Sequence, residues 1–212
     1  MNNLFRSSRL LYRAYEAPAD DEFFLSCQLD PEVFFNAINF LPRPWSAASA
    51  TEARKAMSED ALIYVVICKI PDSQLTGESG STNDKESGKP TPTPIGILSL
   101  NKLSDPNLAH HRSAKLGIIL NTGYHGKGYG PEAVEWALDW AFTMAGLHRV
   151  GLEVYEWNQK AQKVYEKLGF VTEGRERESS WYQGRWWDNI LMSMLDYEWE
   201  KLRKKDDLHD DR

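Results

Sequence analysis

The chain has 212 residues, of which 42% are hydrophobic, so it can bury a core of ordinary size and is not disordered throughout. Its 31 acidic and 25 basic residues give a net charge of −6, which argues against a nucleic-acid partner, since phosphate backbones require a basic face. Its start lacks a secretory signal, and no apolar run reaches the ~18 residues of a membrane span. We therefore expect a cytoplasmic protein, bound to neither nucleic acid nor membrane, with Cys27 and Cys68 as buried thiols and no metal.

Apolar periodicity and turn residues predict seven strands and five helices. The predicted strands are Arg9–Tyr15, Leu62–Cys68, Ile95–Leu100, Ala114–Leu120, His148–Tyr155, Phe170–Arg177 and Trp186–Trp199, the last one turning helical near its end. The predicted helices are Pro18–Ser26, a helix beginning at Pro31 behind an Asp30 cap, Ala50–Ser58, Pro131–Gly146 and Asn158–Leu168. This order mixes hairpins with crossovers, so it favours a mixed sheet with helices on its faces.

One segment interrupts this pattern. Pro71–Pro94 is rich in Ser, Thr, Gly and Pro and nearly free of large apolar residues, so it predicts a flexible surface loop. It separates two strand-like runs and enlarges their hairpin at small entropic cost. We therefore expect one domain over residues 1–200, with a flexible insert at 71–94. The charged tail at 201–212 is expected to fray.

Three alternate glycines lie between a predicted strand and a predicted helix, at Gly126, Gly128 and Gly130. Without side chains, the backbone can curl there and approach a ligand, and the free N–H groups of the helix start favour an anion such as pyrophosphate. Lys127 is not followed by Ser or Thr, which excludes a Walker A loop, and the spacing departs from the dinucleotide fingerprint. Taken alone, the turn is equally compatible with holding no ligand.

A second pattern follows about 30 residues later. Asn158 and Tyr165 are seven residues apart, which is two helical turns, so they share a face with apolar residues that bury against the sheet. Burial of the Tyr165 ring leaves a hydroxyl that requires a polar partner. Asn158 suits the N-cap of the helix, and it can also contact a ligand.

Together, the two patterns resemble the GNAT acetyltransferase superfamily. His125–Gly130 matches its [Q/R]-x-x-G-x-[G/A] signature, except that His125 stands where Gln or Arg is usual, and Asn158, Tyr165 and Gly169-Phe170 match the second family feature. The opening residues 8–13 and the stretch 30–45 look like the branch that includes the ribosomal-protein N-terminal acetyltransferases. The resemblance implies an α/β (α+β) fold whose sheet is mixed, mostly antiparallel and twisted, with about seven strands and helices on both faces.

The resemblance also implies a reaction, in which a primary amine attacks the acetyl group of acetyl-CoA directly in a ternary complex. Backbone N–H groups of the glycine turn would hold the pyrophosphate, Ile118 and Leu120 would hold the pantetheine arm with Asn158, and an N–H near Ile119 would polarise the thioester. Tyr165 would protonate the departing thiolate. The cofactor-binding positions implied are Ile118, Ile119, Leu120, His125, Gly126, Lys127, Gly128, Tyr129, Gly130, Asn158 and Tyr165.

The general base is less determined. Lys115 stands near the place where many relatives have an acidic residue, which leaves Glu153, His148 and His111 as candidates. We select Glu153 together with Tyr165 as the catalytic pair, because Glu153 alternates away from the apolar face of its strand. An amine that is already deprotonated, or a chain of waters, would need no dedicated base.

An aromatic cluster near the last strands has two readings. Trp181, Tyr182, Trp186 and Trp187 either pack the sheet or form a wall of the acceptor site that holds a cation, and Asp188 organises the loop. The acceptor is a small-molecule amine or a protein N-terminus, and the enzyme a monomer or homodimer. The competing hypothesis is an acyl-CoA-binding regulatory module with degenerate catalysis.

Overall fold

Seven strands form one sheet in the order β1-β2-β3-β4-β5-β7-β6. The computed structural model describes residues 3–38, 40–59, 61–75, 91–102 and 105–210. The strands are β1 (Leu10–Arg13), β2 (Ala61–Lys69), β3 (Thr93–Lys102), β4 (Ser113–Leu120), β5 (Arg149–Tyr155), β6 (Val171–Tyr182) and β7 (Arg185–Leu195). The helices are α1 (Asp21–Leu29), α2 (Pro31–Ala37), α3 (Ala47–Glu59), α4 (Asp72–Leu75), α5 (Tyr129–Asp139), α6 (Gln159–Lys167) and α7 (Asp196–Asp210). All neighbouring strands are antiparallel except β4 and β5, which confirms the expected mixed sheet.

Both faces of the sheet are covered, as predicted. On one face the larger core joins the apolar side of β5 to the buried side of α5, where Ala133 and Ala137 are fully buried. On the other face, Phe24 of α1 and Ala50 of α3 pack together with Ile97 of β3. Cys27 and Cys68 are buried free thiols. The sheet therefore separates two layers of helices, and a side chain on any strand belongs to one layer only.

Several predicted boundaries need correction. The predicted loop at 71–94 begins with the short helix α4 and ends inside β3, which starts at Thr93; residues 76–90 lie outside the described part of the chain. The predicted strand at 186–199 ends at Leu195, because α7 starts at Asp196. Helix α7 continues to Asp210, into the tail that was expected to fray. Acidic residues in the first turn of α7 favour this helix start. Helix α5 starts two residues before Pro131 and ends in a π turn at Trp140–Met144.

The centre of the sheet is split between β4 and β5. Their parallel pairing joins Ser113–Lys115 to Arg149–Gly151 and goes no further, although the structure describes both strands to their ends. Residues 116–120 of β4 and 152–155 of β5 therefore diverge, and we call the opening between them the β4–β5 gap. Backbone groups that border this gap lack the ladder partners that a continuous sheet would give them.

A buried ion pair holds β1 to the start of α1. Arg13 donates from Nη1 and Nη2 to the two carboxylate oxygens of Asp20 at 2.6 and 2.7 Å, and Asp20 is only 3% exposed. Asp20 also accepts from the backbone N–H of Glu16 at 2.8 Å. The bonds from Arg13 outweigh the opposing effect of burial and keep the pKa of Asp20 below its ordinary value.

We predict that Asp20→Asn lowers the free energy of unfolding by about 3 kcal/mol at neutral pH, because it leaves Arg13 without its charged partner. Since the pKa of Asp20 is lower in the folded than in the unfolded protein, its contribution is complete above the unfolded value and is lost as pH falls through the folded value. Urea unfolding of wild type and variant should therefore differ at pH 7 and converge in acid. Glu22→Gln, the control on the exposed surface of α1, removes only a charge from the first helical turn and should lower the free energy of unfolding by less than about 1 kcal/mol. An undiminished difference between Asp20→Asn and wild type in acid would contradict the account.

Candidate active site

The glycine turn forms a row of free backbone donors. Gly126 and Gly128 have φ values of +71° and +80°, which glycine adopts without strain, and α5 begins at Tyr129 directly after them. The five consecutive N–H groups from Gly126 to Gly130 have no acceptor among the residues that the structure describes. Consecutive free N–H groups at a helix start attract an anion, both as donors and through the helix dipole. The turn therefore fits a phosphate-bearing ligand.

An arginine directly before β1 fixes this turn. Arg9 Nη1 donates to the carbonyl of Lys127 at 3.0 Å, and Arg9 Nε pairs with Glu132 in the first turn of α5 at 2.8 Å. The same carboxylate accepts at 2.7 Å from both the backbone N–H of Arg9 and the hydroxyl of Ser7. Glu132 is thus structural, and Arg9 is a positioning residue that the sequence analysis missed. No local signal connects residues more than 100 positions apart.

His125 fixes the turn from the opposite side. Its Nε2 donates to the carbonyl oxygen of Leu120 at 2.8 Å, and its Nδ1 lies 3.6 Å from a carboxylate oxygen of Glu32 in α2. The residue that departs from the expected Gln or Arg therefore links the turn to the end of β4 and to the first turn of α2. Its ring contacts protein groups, so a structural role accounts for its position.

The exposed edge of β4 agrees with the expected cofactor positions. The N–H of Asn121 donates to Ile95 of β3 at 2.8 Å, and backbone groups alternate in direction along a strand. Ile119 therefore directs its backbone groups to β3, while the N–H groups of Ile118 and Leu120 point into the β4–β5 gap; the carbonyl of Leu120 already accepts from His125. A backbone donor to the thioester would accordingly be one of these two N–H groups rather than that of Ile119.

Helix α6 presents two of the predicted residues. The Asn158 side chain accepts from the N–H of Ala161 at 3.2 Å and so caps the helix, while its Nδ2 meets no acceptor in the described ranges. The Tyr165 ring packs on the core and contacts Phe170 edge-on at 5.7 Å between centroids. Burial raises the pKa of Tyr165 to about 12, so the phenol stays protonated at neutral pH. Its hydroxyl has no partner within the described chain, so the polar partner that the sequence analysis requires is not a protein group among these residues.

A cleft of about 510 Å³ opens on the sheet face that α2 covers. Its lining residues are Phe35, Ile38, Phe40, Leu41, Pro42, Glu153, Tyr155, Trp157, Glu176, Ser179, Ser180, Trp181, Tyr182, Trp186 and Asn189. Glu153 faces this cleft, as the alternation along β5 predicts, and it pairs with Lys115 of β4. Among the described residues, the lining contains two carboxylates, Glu153 and Glu176, and no Lys, Arg or His. The cleft is therefore suited to a cation.

The aromatic cluster divides between the two expected roles. Trp181 and Trp186 meet edge-on at 5.1 Å, remain 60% and 55% exposed and form a rim of the cleft. Trp187 instead packs edge-on against Trp157 at 5.7 Å and donates to the carbonyl of Tyr182. The first pair provides a wall for a ligand, and Trp187 supports the sheet.

Asp188 organises the β6–β7 hairpin, as the sequence analysis expected. Its carboxylate accepts from the N–H of Glu178 and from Nε of Arg175, both at 2.9 Å. Residues 177–179 of β6 form a bulge opposite Asp188. The bond from the Glu178 N–H, reinforced by Arg175, keeps the pKa of Asp188 below its ordinary value. The bulge brings Ser179 and Ser180 to the cleft.

The two histidine candidates for a general base lie elsewhere. His148 precedes β5, at the end of that strand that pairs with the start of β4, and its Nδ1 contacts Asp196 at 3.1 Å. His111 precedes β4 at the same end and stacks near His110. Both are separated from the glycine turn by the length of β4, so the structure does not bring them to the cleft.

These features define a class of protein. A sheet split at its centre, an anion-binding turn at the mouth of the split and an acidic cleft beside it describe a two-ligand transferase site. Residues 9–171 match the acetyltransferase (GNAT) domain family, so the chain belongs to that family and the predicted superfamily is confirmed.

Proteins named as N-acetyltransferases are similar to this chain in sequence and in structure. Over 85 residues, or 40% of this chain and 49% of that protein, the chain is 40% identical to spermidine N(1)-acetyltransferase of Vibrio cholerae. It is 31% identical over 105 residues to the putative ribosomal N-acetyltransferase YdaF of Bacillus subtilis, 55% of which is covered. The aligned part thus spans about half the length of these relatives. The solved Vibrio cholerae spermidine N-acetyltransferase in complex with CoA and spermine superposes with a TM-score of 0.71 at 26% identity, covering 91% of this chain and 99% of that one.

Two left-handed glycines offer a matched test of the turn. Gly126 and Gly146 have φ values of +71° and +64°, and an added Cβ meets no atom within 4 Å at either position. We expect Gly126→Ala and Gly146→Ala to lower the free energy of unfolding equally, by about 1 kcal/mol. Only Gly126→Ala should weaken acetyl-CoA binding in calorimetry, by about tenfold or more, because its methyl group enters the anion site. Equal affinities of the two variants would remove the turn from the cofactor site.

Proposed function

We propose that this chain is an N-acetyltransferase that moves the acetyl group of acetyl-CoA to the primary amine of a cationic small molecule. The observation that carries the proposal is the acidic, aromatic cleft beside the β4–β5 gap, since the part of its lining that the structure describes supplies two carboxylates and no basic side chain. A cationic acceptor gains from both carboxylates and aromatic faces. The similarity to a spermidine N-acetyltransferase solved with CoA and spermine supports polyamines as the acceptor class.

The two predicted catalytic side chains come from opposite faces of the sheet. Glu153 lies on the α2 side with the cleft, whereas Tyr165 packs on the core of the other face. Across a continuous sheet these groups would be separated by a layer of hydrogen-bonded backbone. The β4–β5 gap removes that layer, so an acceptor on one face and a proton donor on the other can serve the same reacting atoms.

The cofactor-binding residues fit acetyl-CoA, which supplies a thioester-activated acetyl group when bound. The free N–H groups of residues 126–130 would hold its pyrophosphate, with Arg9 and His125 fixing the turn. The gap-facing backbone of Ile118 and Leu120, together with Nδ2 of Asn158, would hold its arm. Lys127 Nζ donates to the carbonyl of Gly123 at 2.7 Å, so this residue contributes its N–H to the site rather than its charge.

The reaction requires one group that accepts a proton from the amine and one group that donates a proton to the thiolate. The attacking nitrogen forms the new C–N bond and loses a proton, which Glu153 would accept, directly or through water, as general base. The C–S bond breaks, and the departing thiolate would take a proton from the Tyr165 hydroxyl. The raised pKa of Tyr165 keeps that proton available at neutral pH. Lys115, which donates to Glu153, would orient this carboxylate beside the gap.

The domain organisation, the location in the cell and the oligomeric state are also proposals. We propose a single catalytic domain over residues 1–200 and a cytoplasmic location. No helix of the described residues is long and apolar enough to cross a membrane. The expected monomer or homodimer stays a prediction, and a spermidine N-acetyltransferase of Vibrio cholerae is described as dodecameric.

The direct experiment measures CoA thiol released from acetyl-CoA with a panel of polyamines, simple monoamines and peptides that have free N-termini. We expect release above the acceptor-free rate with polyamines, and mass spectrometry should find an acetylated amine. Acetyl-CoA binding without release for any acceptor would contradict the proposal and support the regulatory acyl-CoA-binding module. Release with peptides alone would assign the acceptor as a protein N-terminus.

Tyr165→Phe tests the proposed acid. Because the change removes only the hydroxyl, we expect kcat to fall by about 100-fold or more, while the Kd of acetyl-CoA changes by less than about twofold. Tyr197→Phe, on the exposed surface of α7, is the matched control and should retain wild-type turnover. Unchanged turnover in Tyr165→Phe would remove Tyr165 from the mechanism.

A further inference from the structure

An unsatisfied amide lies in the floor of the acidic cleft. Asn189 of β7 is only 7% exposed and lines the cleft. Its Nδ2 donates to Oε2 of Glu153 at 3.3 Å and to Oε2 of Glu176 at 3.2 Å, which fixes the amide orientation, since a flipped amide would turn oxygen toward two carboxylates. Its Oδ1 is then buried without a donor among the described residues. A buried acceptor of this kind favours a ligand that brings an N–H group.

The two carboxylates bonded to Asn189 differ in their surroundings. Glu153 is paired with Lys115, whereas Glu176 has no cationic partner in the described part of the chain. The uncompensated negative charge of the cleft is therefore on β6, at Glu176. Glu153 belongs to β5, which borders the β4–β5 gap, whereas Glu176 belongs to β6, which lies beyond β7 from that strand. The two carboxylates approach each other above β7, because both accept from Nδ2 of Asn189, but Glu176 is the one on the side away from the gap.

This arrangement separates two tasks that one amine cannot perform together. An amine must lose its proton to attack a thioester. An amine that is held by both a carboxylate and an amide oxygen instead favours the protonated ammonium form. The reacting amine belongs near Glu153 at the gap, and the ammonium site at Glu176 lies farther away. A charged group held there leaves the reacting nitrogen free to deprotonate.

We infer that Glu176 and the Oδ1 atom of Asn189 form a docking subsite for a second, non-reacting ammonium of the acceptor, so that the cleft selects diamines over monoamines. The inference rests on the proposed function and deepens it by naming the residues that set acceptor choice. The exposed Trp181–Trp186 pair on the rim adds aromatic faces that a cation prefers to water. Glu176 contacts the acceptor directly in this arrangement and takes no part in the proton transfers.

Putrescine and n-butylamine test the subsite, because they share a four-carbon chain and differ in the second amine. Tryptophan fluorescence, which the rim residues should report, gives Kd for each amine without acetyl transfer. We expect wild type to bind putrescine more tightly, and Glu176→Gln to weaken putrescine about tenfold while leaving n-butylamine unchanged. In turnover, the same variant should raise KM for putrescine about tenfold and leave kcat within about twofold.

Glu178→Gln is the matched control, since it removes the same charge from the same strand outside the cleft lining. Equal losses in Glu176→Gln and Glu178→Gln, equal losses for both amines, or no preference of wild type for putrescine would each overturn the subsite. If wild type releases CoA but Glu176→Gln has the same amine preference as wild type, the subsite is contradicted and the proposed function stands. Glu176-dependent putrescine binding without CoA release would support the subsite and contradict acetyl transfer.

Discussion

The interrupted pairing of β4 and β5 is the constraint on which the site depends. Three residues of each strand pair in parallel, and the strands then diverge. The divergence leaves main-chain groups of β4 without partners at the centre of the sheet, where unpaired backbone is unfavourable unless a ligand satisfies it. It also opens a passage between the two helical layers. The expected cofactor positions on β4 and α6 and the acidic cleft all border this opening.

Charge appears at first to oppose the proposed cofactor, because a chain of net charge −6 would have to bind a polyanion. The structure separates the two requirements in space. Backbone N–H groups of the glycine turn, which carry no formal charge, form the anion site at the start of α5. The acidic side chains of the cleft instead face the acceptor. Arg9 and Glu132 compensate each other next to the turn, so their main effect is to hold the backbone in place.

Local patterns predicted much of this structure. The β2–β3 hairpin, the Asp30 and Asn158 caps and the glycine turn follow from alternation, helical spacing and turn chemistry over a few residues. The predicted start of β3 and the predicted end of β7 were wrong, since these strands begin at Thr93 and end at Leu195. Pro-rich and charged residues obscure elements that pairing and packing stabilise. Glu153 was predicted to point away from the apolar face of β5, since alternation along one strand fixes its face, and the structure finds the cleft on that side.

Long-range partners could not be predicted. Arg9 contacts Lys127 and Glu132, and Asn189 joins carboxylates from the two strands that flank β7. Nothing in the spacing of these residues indicates the contacts, because they arise from the order of strands in the sheet. The contact of Lys115 could not be predicted either. Lys115 stands near the position where many relatives have an acidic residue, and in the structure it pairs with Glu153.

The account predicts that the arm of CoA lies in the β4–β5 gap and its phosphates on the glycine turn. Backbone amide NMR of the protein titrated with CoA measures this directly. The largest shifts should fall on Gly126–Gly130 and on the gap-facing amides of Ile118 and Leu120, with a smaller change at Ile119, whose N–H faces β3. Shifts confined to other parts of the sheet, or equal shifts at Ile119 and its neighbours, would contradict the central claim.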